Sequence, residues 1–138
     1  MKCYRIYARF VNKVWSQVVD ILDKALAYNA GSVTSAQLYK QLISGNQSLW
    51  IGADDDGVIQ CAGTTEVVDY PNKKVMRVVT FATKSGKDLE LWFPLLEEVK
   101  KHARQMRCSA LEAWVRKGLA KRLDWDHEHV VITKQLET

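Results

Sequence analysis

The stretch VMRVVTFATKSGKD, residues 75–88, decides the fold. In its strand-like part, Val75–Thr83, both alternating sets of side chains are largely apolar, and only Arg77 interrupts them. Such a pattern is typical of a strand that is buried on both faces, in a sheet with helices on each side. Arg77 must therefore find a partner or reach an edge. The polar loop Lys84–Asp88 then separates this strand from a long helical pattern.

Two turn signals precede this strand and predict hairpins. Asp54–Gly57 lies between the apolar runs Leu49–Ala53 and Val58–Tyr70. Asp-Gly between such runs is a strong hairpin signal, because a tight primed turn needs residues with positive φ. The three aspartates also suggest a calcium loop, but an EF-hand places its oxygen ligands at alternating positions and ends on a glutamate. The spacing favours a turn, and Tyr70–Lys73 provides a second one.

The rest of the chain alternates strand and helix patterns. Asn12 is the predicted cap of the first helix, and Ser32 or Thr34 that of the second. The third helix, Asp88–Met106, contains Pro94 about two turns in, so it begins near this proline or kinks there. The other predicted elements are the strand Cys3–Phe10, the helix from Asn12 to a stop at Asn29–Gly31, the helix Thr34–Ile43, the strand Ala110–Val115, the helix Lys117–Leu123 and the strand His129–Leu136.

This order predicts one α+β domain over residues 1–138. We expect three α/β/α layers and a mixed, mostly antiparallel central sheet of about six strands with about four helices. A chain of 138 residues with 47% apolar and 26% charged side chains fits a single globular domain.

Composition also narrows the compartment and the partners. No apolar run approaches the roughly 18 residues that span a bilayer, and early charges leave no signal-peptide core. Cys3, Cys61 and Cys108 are widely spaced and are expected to be reduced, partly buried thiols of a cytoplasmic protein. The net charge of +4 suits an anionic small molecule better than nucleic acid, which requires a concentrated basic face.

The loop Lys84–Asp88 carries the strongest chemical signal. Its position between a buried strand and a helix is one where backbone N–H groups and the helix dipole can hold a phosphate or pyrophosphate. Lys84 and Lys87 add positive charge. A Walker loop is excluded because Phe81 stands where its first glycine is required. The simpler alternative is a strand–helix turn capped by Ser85 or Asp88.

Other candidate groups form weaker patterns. His127 and His129 suggest a metal site with Asp124 or Asp126, but no third ligand is fixed, and histidines at a strand entrance favour a surface role. No nucleophile set can be assembled, and Trp92 is expected in the core or at a pocket. The catalytic residues therefore stay unassigned, with four carboxylates as possible general bases: Glu66, Asp69, Glu90 and Glu112.

The order of elements resembles the GNAT superfamily of acyl-CoA-dependent N-acyltransferases, and more closely the short GNAT-like proteins of tailed bacteriophages. The resemblance runs from about Trp15 to the C-terminus and rests on order and spacing more than on any single motif. It is carried by Gln47–Trp50 before the Asp-Gly hairpin, Ala62–Thr65, Tyr70-Pro71, Trp92, Leu95–Glu98, Arg116–Gly118 and Val130–Leu136.

This resemblance implies a cofactor and a site. The sheet would splay between the strands Val75–Thr83 and Ala110–Val115, and acetyl-CoA would enter the gap. Its pantetheine arm would pair with the main chain of Phe81, Ala82 and Thr83. Its pyrophosphate would bind the amides of the following loop, which comprises Lys84, Ser85, Gly86, Lys87 and Asp88.

Two functions follow from the resemblance. The first is acetyl transfer from acetyl-CoA to a primary amine. The second is a catalytically inactive phage structural or host-interaction protein with a protein partner or as a homodimer. The second is suggested because the loop keeps one glycine of the superfamily's Gln/Arg-x-x-Gly-x-Gly/Ala pattern, and Arg116–Trp125 lacks the usual tyrosine acid. Either protein would reside in the host cytoplasm, or the second in a virion; DNA binding through Lys117–Arg122 is a third, disfavoured hypothesis.

Overall fold

The computed structural model describes residues 1–27, 33–87 and 89–113, together with residues 125, 126, 132, 134 and 136. The described strands are β1 (Lys2–Ile6), β2 (Ser48–Ala53), β3 (Ile59–Tyr70), β4 (Lys73–Thr83) and β5 (Ala110–Ala113). The described α-helices are α1 (Val11–Leu26), α2 (Ser35–Ile43) and α3 (Trp92–Gln105).

The strands form one mixed sheet in the order β1-β2-β3-β4-β5. The first three pairs are antiparallel, whereas β4 and β5 are parallel. Short turns join β2, β3 and β4, and antiparallel neighbours permit such turns. The parallel pair needs a crossover, and α3 supplies it. The predicted mostly antiparallel sheet is confirmed.

Helices cover both faces of the sheet. On one face, α1 and α2 pack their apolar stripes against β2 and β3, with Val18, Leu22 and Leu38 almost fully buried. On the other face, α3 buries Leu95 and Val99 against side chains of β2, β3 and β4. The predicted α+β class with three α/β/α layers is therefore confirmed.

The turns form for the reasons that the sequence indicates. Asp54 accepts bonds at Oδ1 from the amides of Asp56 and Val58, both at 3.0 Å, and Gly57 has φ +78°. These bonds, first the one from Val58, lower the pKa of Asp54. Asp54–Gly57 is a hairpin turn, as predicted, and its first carboxylate serves the turn itself.

The second helix begins with a reciprocal cap. Thr34 Oγ1 accepts from the amide of Gln37 at 3.2 Å, and the Gln37 side chain accepts from the amide of Thr34 at 2.9 Å. This capping box satisfies two donors that a helix start leaves unpaired. Of the two predicted caps, Thr34 is the one used.

Two predictions at the start of the chain are wrong. The first strand ends at Ile6 because Ala8–Phe10 forms a 3₁₀ turn, and α1 begins at Val11 with no side-chain cap, so Asn12 is not its cap. The third helix begins at Trp92 and not at Asp88, after a 3₁₀ turn at Leu89–Leu91, so the predicted alternative of a start near Pro94 is confirmed. Pro94 is the reason, because a proline fits the first helical turn, whereas a start at Asp88 would place it in the interior.

The described residues contain five strands and three α-helices, against a prediction of about six and four. The predicted helix Lys117–Leu123 lies outside the described residues, as does most of the predicted strand His129–Leu136. All three cysteines are free, and Cys61 is fully buried. No helix in the described ranges is long and apolar enough to cross a membrane.

Candidate functional site

Strand β4 changes its surroundings halfway along. It pairs with β3 from Lys73 to Thr83, but with the described part of β5 only from Val75 to Val78. The register with β3 shifts between Thr64 and Thr65. Thr64 lies opposite Thr80 and Thr65 opposite Val78, so Val79 is an extra, bulged residue. A bulge bends its strand and strengthens its twist, so the second half of β4, Val79–Thr83, changes direction relative to the first half.

Successive backbone N–H and C=O groups in this second half of β4 are directed alternately toward β3 and toward the β5 side. The amide of Lys84 donates to the carbonyl of Gln60 at 2.7 Å, so Lys84 faces β3. Backbone groups alternate between the two edges of an antiparallel strand. Ala82, opposite Ala62, therefore faces β3 as well. Phe81 and Thr83 direct their N–H and C=O groups toward the β5 side.

The loop after β4 is held by short-range bonds. The amide of Gly86 donates to the carbonyl of Thr83 at 3.2 Å, and the amide of Lys87 donates to Ser85 Oγ at 3.1 Å. Gly86 adopts φ +76°, and a Cβ built there would meet nothing within 4 Å. The loop therefore already uses two of the amides that were expected to bind a phosphate. Asp88 lies outside the described residues.

Positive charge gathers around this loop from two elements. The side chains of Lys84 and Lys87 are exposed. The ammonium of Lys24, in the last turn of α1, donates to the carbonyl of Lys84. Lys24 carries no motif and lies far from the loop in sequence, so only the tertiary structure identifies it as part of the site.

An aromatic pair lies between the second half of β4, Val79–Thr83, and α3. The rings of Phe81 and Trp92 meet edge to face, with centroids 4.5 Å apart and planes at 75°. Trp92 is 2% exposed and belongs to a cluster with Val78 and Leu96, against which Ala113 packs. Val78 and Ala113 are the last described pair between β4 and β5, so Trp92 lies beside the end of the described pairing.

The indole N–H of Trp92 is buried without a hydrogen-bond partner among the described residues. Trp50, which lines the same small void of about 10 Å³, donates its indole N–H to Thr65 Oγ1 at 2.9 Å. Buried polar groups are almost always satisfied, so an unsatisfied donor at the end of the β4–β5 pairing needs an explanation. A water or a ligand acceptor would supply one.

Arg77, the residue of β4 that precedes Val78, is the centre of a charged network. Arg77 Nε donates to Glu112 at 2.8 Å, its Nη1 to Glu66 at 3.3 Å and its Nη2 to the Tyr70 hydroxyl at 3.0 Å. The Tyr70 hydroxyl donates in turn to Glu112 at 2.9 Å. Arg77 thus finds the partners that the sequence demanded.

This network gathers two of the four candidate bases. Partial burial tends to raise the pKa of Glu112, but the bonds from Arg77 and Tyr70 outweigh it and lower the pKa. Glu66 lies on the other side of Arg77, whereas Asp69 and Glu90 are exposed elsewhere. A carboxylate held ionised in this way is a weak base but a good acceptor for a cationic amine.

The suggested histidine pair, His127 and His129, lies outside the described residues. Within the described ranges, no group of three His, Cys, Asp or Glu side chains is arranged to hold a metal ion. His102, on α3, packs against the ring of Trp50 at 5.7 Å, and its pKa is lowered by desolvation and by the charge of Arg5.

The architecture described above is that of a GNAT-like α+β fold. The chain matches the crystal structure of a probable acetyltransferase with a TM-score of 0.71 and 10% identity, over 100% of this chain and 98% of that one. It matches an aminoglycoside acetyltransferase from an uncultured soil metagenomic sample, in complex with sisomicin, with a TM-score of 0.72 and 13% identity, over 99% and 96%. It also matches the crystal structure of a GNAT family acetyltransferase of Staphylococcus aureus, with a TM-score of 0.68 and 14% identity, over 99% of this chain and 100% of that one.

These identities are low, and the likeness establishes the fold alone. No protein-family model matches the sequence, and no curated protein matches it in sequence. The superfamily resemblance inferred from the order of elements is supported at the level of structure. The closer likeness to bacteriophage proteins stays a prediction.

Proposed function

We propose that the protein is an N-acetyltransferase that moves the acetyl group of acetyl-CoA to a primary amine. The observation that carries the proposal is the second half of β4, Val79–Thr83, where the backbone groups of Phe81 and the N–H of Thr83 are directed away from β3 after the bulge at Val79 and pair with no described residue of β5. A strand edge of this kind can pair with the amides of an extended ligand, as it would with another strand. The neighbouring structures include an aminoglycoside acetyltransferase, which supports an amine as acceptor.

The residues present fit such a cofactor in two places. The strand segment Phe81–Thr83 would hold the pantetheine arm, with Ala82 in the centre and the groups of Phe81 and Thr83 making the bonds. The ammonium groups of Lys84 and Lys87, exposed beside Ser85 and Gly86 and followed by Asp88, would face the pyrophosphate. Because the amides of Gly86 and Lys87 have partners inside the loop, charge contributes more to this contact than amide hydrogen bonds do.

The unsatisfied indole of Trp92 fits the same ligand. Its N–H is buried beside the last described β4–β5 pair and has no partner among the described residues. A carbonyl of the bound cofactor, whose pantetheine arm carries two amides, would satisfy this donor. The gain would be about 1 kcal/mol, the usual net value of a buried hydrogen bond.

Bound acetyl-CoA supplies an activated thioester carbonyl. The chain's own contribution is to position the amine beside it, and positioning alone is worth up to about 7–11 kcal/mol. Glu66 and Glu112 flank Arg77, and Lys73 lies near Glu112, so the charges of this group balance and the carboxylates contribute as hydrogen-bond acceptors for the amine. A water chain or one of these carboxylates accepts the amine proton, and a backbone N–H near Ala82 polarises the carbonyl.

Calorimetric titration with acetyl-CoA tests the proposal, with Gly86→Ala and Gly57→Ala as a matched pair. Both glycines have positive φ, +76° and +78°, and open space around a Cβ, so both substitutions strain the backbone equally. Only the Cβ at Gly86 would enter the space of the pyrophosphate. We expect wild type and Gly57→Ala to bind alike and Gly86→Ala to bind at least ten times more weakly.

Transfer is measured separately, as release of the CoA thiol with a set of primary amines that includes an aminoglycoside. No heat with millimolar acetyl-CoA would exclude both binding and chemistry. Binding without thiol release to any amine would leave a CoA-binding protein that is not an acetyltransferase.

A second candidate function is a catalytically inactive interaction protein with a GNAT-like fold, such as a phage structural or host-interaction protein. It is favoured by the internal bonds of the Gly86 and Lys87 amides and by the burial of Trp92 beside the last described β4–β5 pair. This candidate predicts a stoichiometric complex with a defined partner whose formation does not change with acetyl-CoA. Thiol release that Gly86→Ala abolishes would refute it.

A further inference from the structure

Three sulfur-containing side chains meet at one glycine on the α3 side of the sheet. In the register of β1, β2 and β3, Cys3 lies opposite Gly52, and Gly52 lies opposite Cys61. Residues directly opposite each other in antiparallel strands share a face of the sheet. The two thiols therefore flank Gly52 on the same face, in a cluster with Trp50 and Leu95.

The missing side chain of Gly52 provides the space between them. A Cβ built on Gly52 would lie 2.6 Å from Cys61 Sγ and 2.9 Å from Met1 Sδ, closer than real Cβ contacts allow. The sulfurs of Met1 and Cys61 thus occupy the volume directly above the glycine backbone. Because β1 is the edge strand, Cys3 closes this group from the outer side.

A disulfide does not explain this arrangement. Cys3 and Cys61 are separated by the whole of β2, and two strand spacings amount to about 10 Å between their Cα atoms. A disulfide needs Cα atoms closer than about 7 Å. An ion bound at about 2.3 Å from each sulfur can bridge a wider gap than a direct S–S bond.

We propose that Met1 Sδ, Cys3 Sγ and Cys61 Sγ form a binding site for a soft monovalent metal ion, Cu⁺ in the cell. Thiolate and thioether ligands select soft ions of this kind, whereas they bind hard ions such as Mg²⁺ poorly. The proposal does not depend on acetyl transfer, because its ligands are side chains of Met1, of Cys3 on β1 and of Cys61 on β3, whereas acetyl-CoA would use the main chain of β4.

Binding exchanges protons for the ion. Each thiol loses its proton to solvent as its sulfur bonds to the metal, and the thioether of Met1 binds without a proton change; no electron is transferred. In the metal-free protein both thiols carry their protons at neutral pH, because the ordinary pKa of a cysteine thiol lies above about 8. Met1, which is 41% exposed, leaves an entry path from the sheet edge.

Silver ion is the probe, because it is monovalent, thiophilic and inert to redox change. The fully reduced full-length chain is titrated with Ag⁺ while thiolate-to-metal absorption is followed in the ultraviolet. We expect one tightly bound ion per chain and release of about two protons per ion. Bicinchoninate competition under anaerobic conditions then gives the Cu⁺ affinity.

The third cysteine provides the matched control. Cys108 is half-buried at the other end of the sheet, with Lys74 and Asp69 as its charged neighbours. Cys108→Ala should leave the tight site unchanged, whereas Cys3→Ala should weaken it at least a hundredfold. Cys3 is itself only half-buried, so this variant keeps the test valid if Cys61→Ala fails to fold.

Two results would overturn the proposal. One is stoichiometry that follows the number of thiols, with each cysteine, Cys108 included, contributing one equivalent ion. The other is an affinity for Cu⁺ that Cys3→Ala and Cys108→Ala lower to the same extent. Either would show ordinary thiol chemistry, and the three sulfurs would then serve only as apolar packing.

Discussion

The two halves of β4 differ in whether the polar side chains beside them have hydrogen-bond partners. In the half paired with β5, Arg77 reaches Glu66, Glu112 and Tyr70, and each has a partner at 3.3 Å or less. Beside the other half, the indole N–H of Trp92 is buried with no partner among the described residues. Buried polar groups are usually satisfied, and binding sites keep a few polar groups for their ligands. The difference supports the proposal that the second half of β4, unlike the first, binds a ligand.

Removing the Trp92 side chain should have the largest effect on stability. Its indole is 2% exposed and joins Phe81 to the cluster around Val78. Truncation of a buried aromatic residue to alanine leaves a cavity and typically costs about 3–5 kcal/mol. We expect Trp92→Ala to lower the free energy of unfolding in urea by this amount, and Phe93→Ala, at an exposed neighbour on α3, to change it little. Equal effects would show that Trp92 does not anchor this half.

The second-largest effect on stability is expected for Arg77, in the half of β4 that pairs with β5. Arg77→Met leaves Glu66 and Glu112 partly buried without their cation, which should cost about 1–3 kcal/mol, less than for a fully buried pair because all three side chains retain some exposure. Lys101→Met, which removes an exposed partner of Glu98, is the control and should cost less than about 0.5 kcal/mol.

The Arg77 effect also depends on pH in a defined direction. The pKa of Glu112 is lowered in the folded protein from its ordinary value of 4.5. A carboxyl of this kind contributes its full stabilisation above the ordinary pKa and loses it as the pH falls through the lowered one. The difference between wild type and Arg77→Met should therefore be complete at pH 7 and shrink below about pH 4. A constant difference across this range would exclude Glu112 as the main partner.

The contrast between the two halves was only partly accessible from the sequence. The alternation of Val75–Thr83 predicted the buried strand, and the lone charge at Arg77 predicted a partner. The bulge at Val79 has no signature in the sequence, because it depends on the register between β3 and β4 and not on the residues of either strand alone. The contact of Lys24 with the loop depends on where α1 packs, which local sequence does not encode. Pro94 was read correctly as one of two alternatives, and only packing decided for the helix start.

A comparison of two tryptophans separates folding from binding. Trp50 donates to Thr65, whereas Trp92 donates to none of the residues that the structure describes, although both line the same void. Trp50→Phe therefore removes this hydrogen bond and leaves the buried hydroxyl of Thr65 without the indole donor. We expect this loss to lower the free energy of unfolding by about 1–2 kcal/mol, in addition to the effect of the smaller side chain. Trp92→Phe loses no bond and should cost about 1 kcal/mol less than Trp50→Phe in urea unfolding.

The binding of acetyl-CoA should reverse that ranking. If the indole of Trp92 donates to the cofactor, Trp92→Phe weakens binding about five- to tenfold, the equivalent of one hydrogen bond, while Trp50→Phe leaves the affinity near wild type. Calorimetry on both variants measures this directly. A Trp92→Phe variant that binds like wild type would assign the buried N–H to an internal water instead.

The smallest effect concerns Lys24, whose ammonium bonds to the carbonyl of Lys84. Exposed contacts of this kind contribute little to folding, so Lys24→Met should change the free energy of unfolding by less than about 0.5 kcal/mol. Its charge nevertheless lies beside the loop that would face a pyrophosphate. We expect a loss of acetyl-CoA affinity of about threefold at low salt that fades as ionic strength rises, since exposed charges are screened. Lys40→Met, at an exposed position on α2, should show neither effect. A salt-independent loss would mean that Lys24 shapes the loop instead of attracting the anion, because only an electrostatic contribution is screened by added ions.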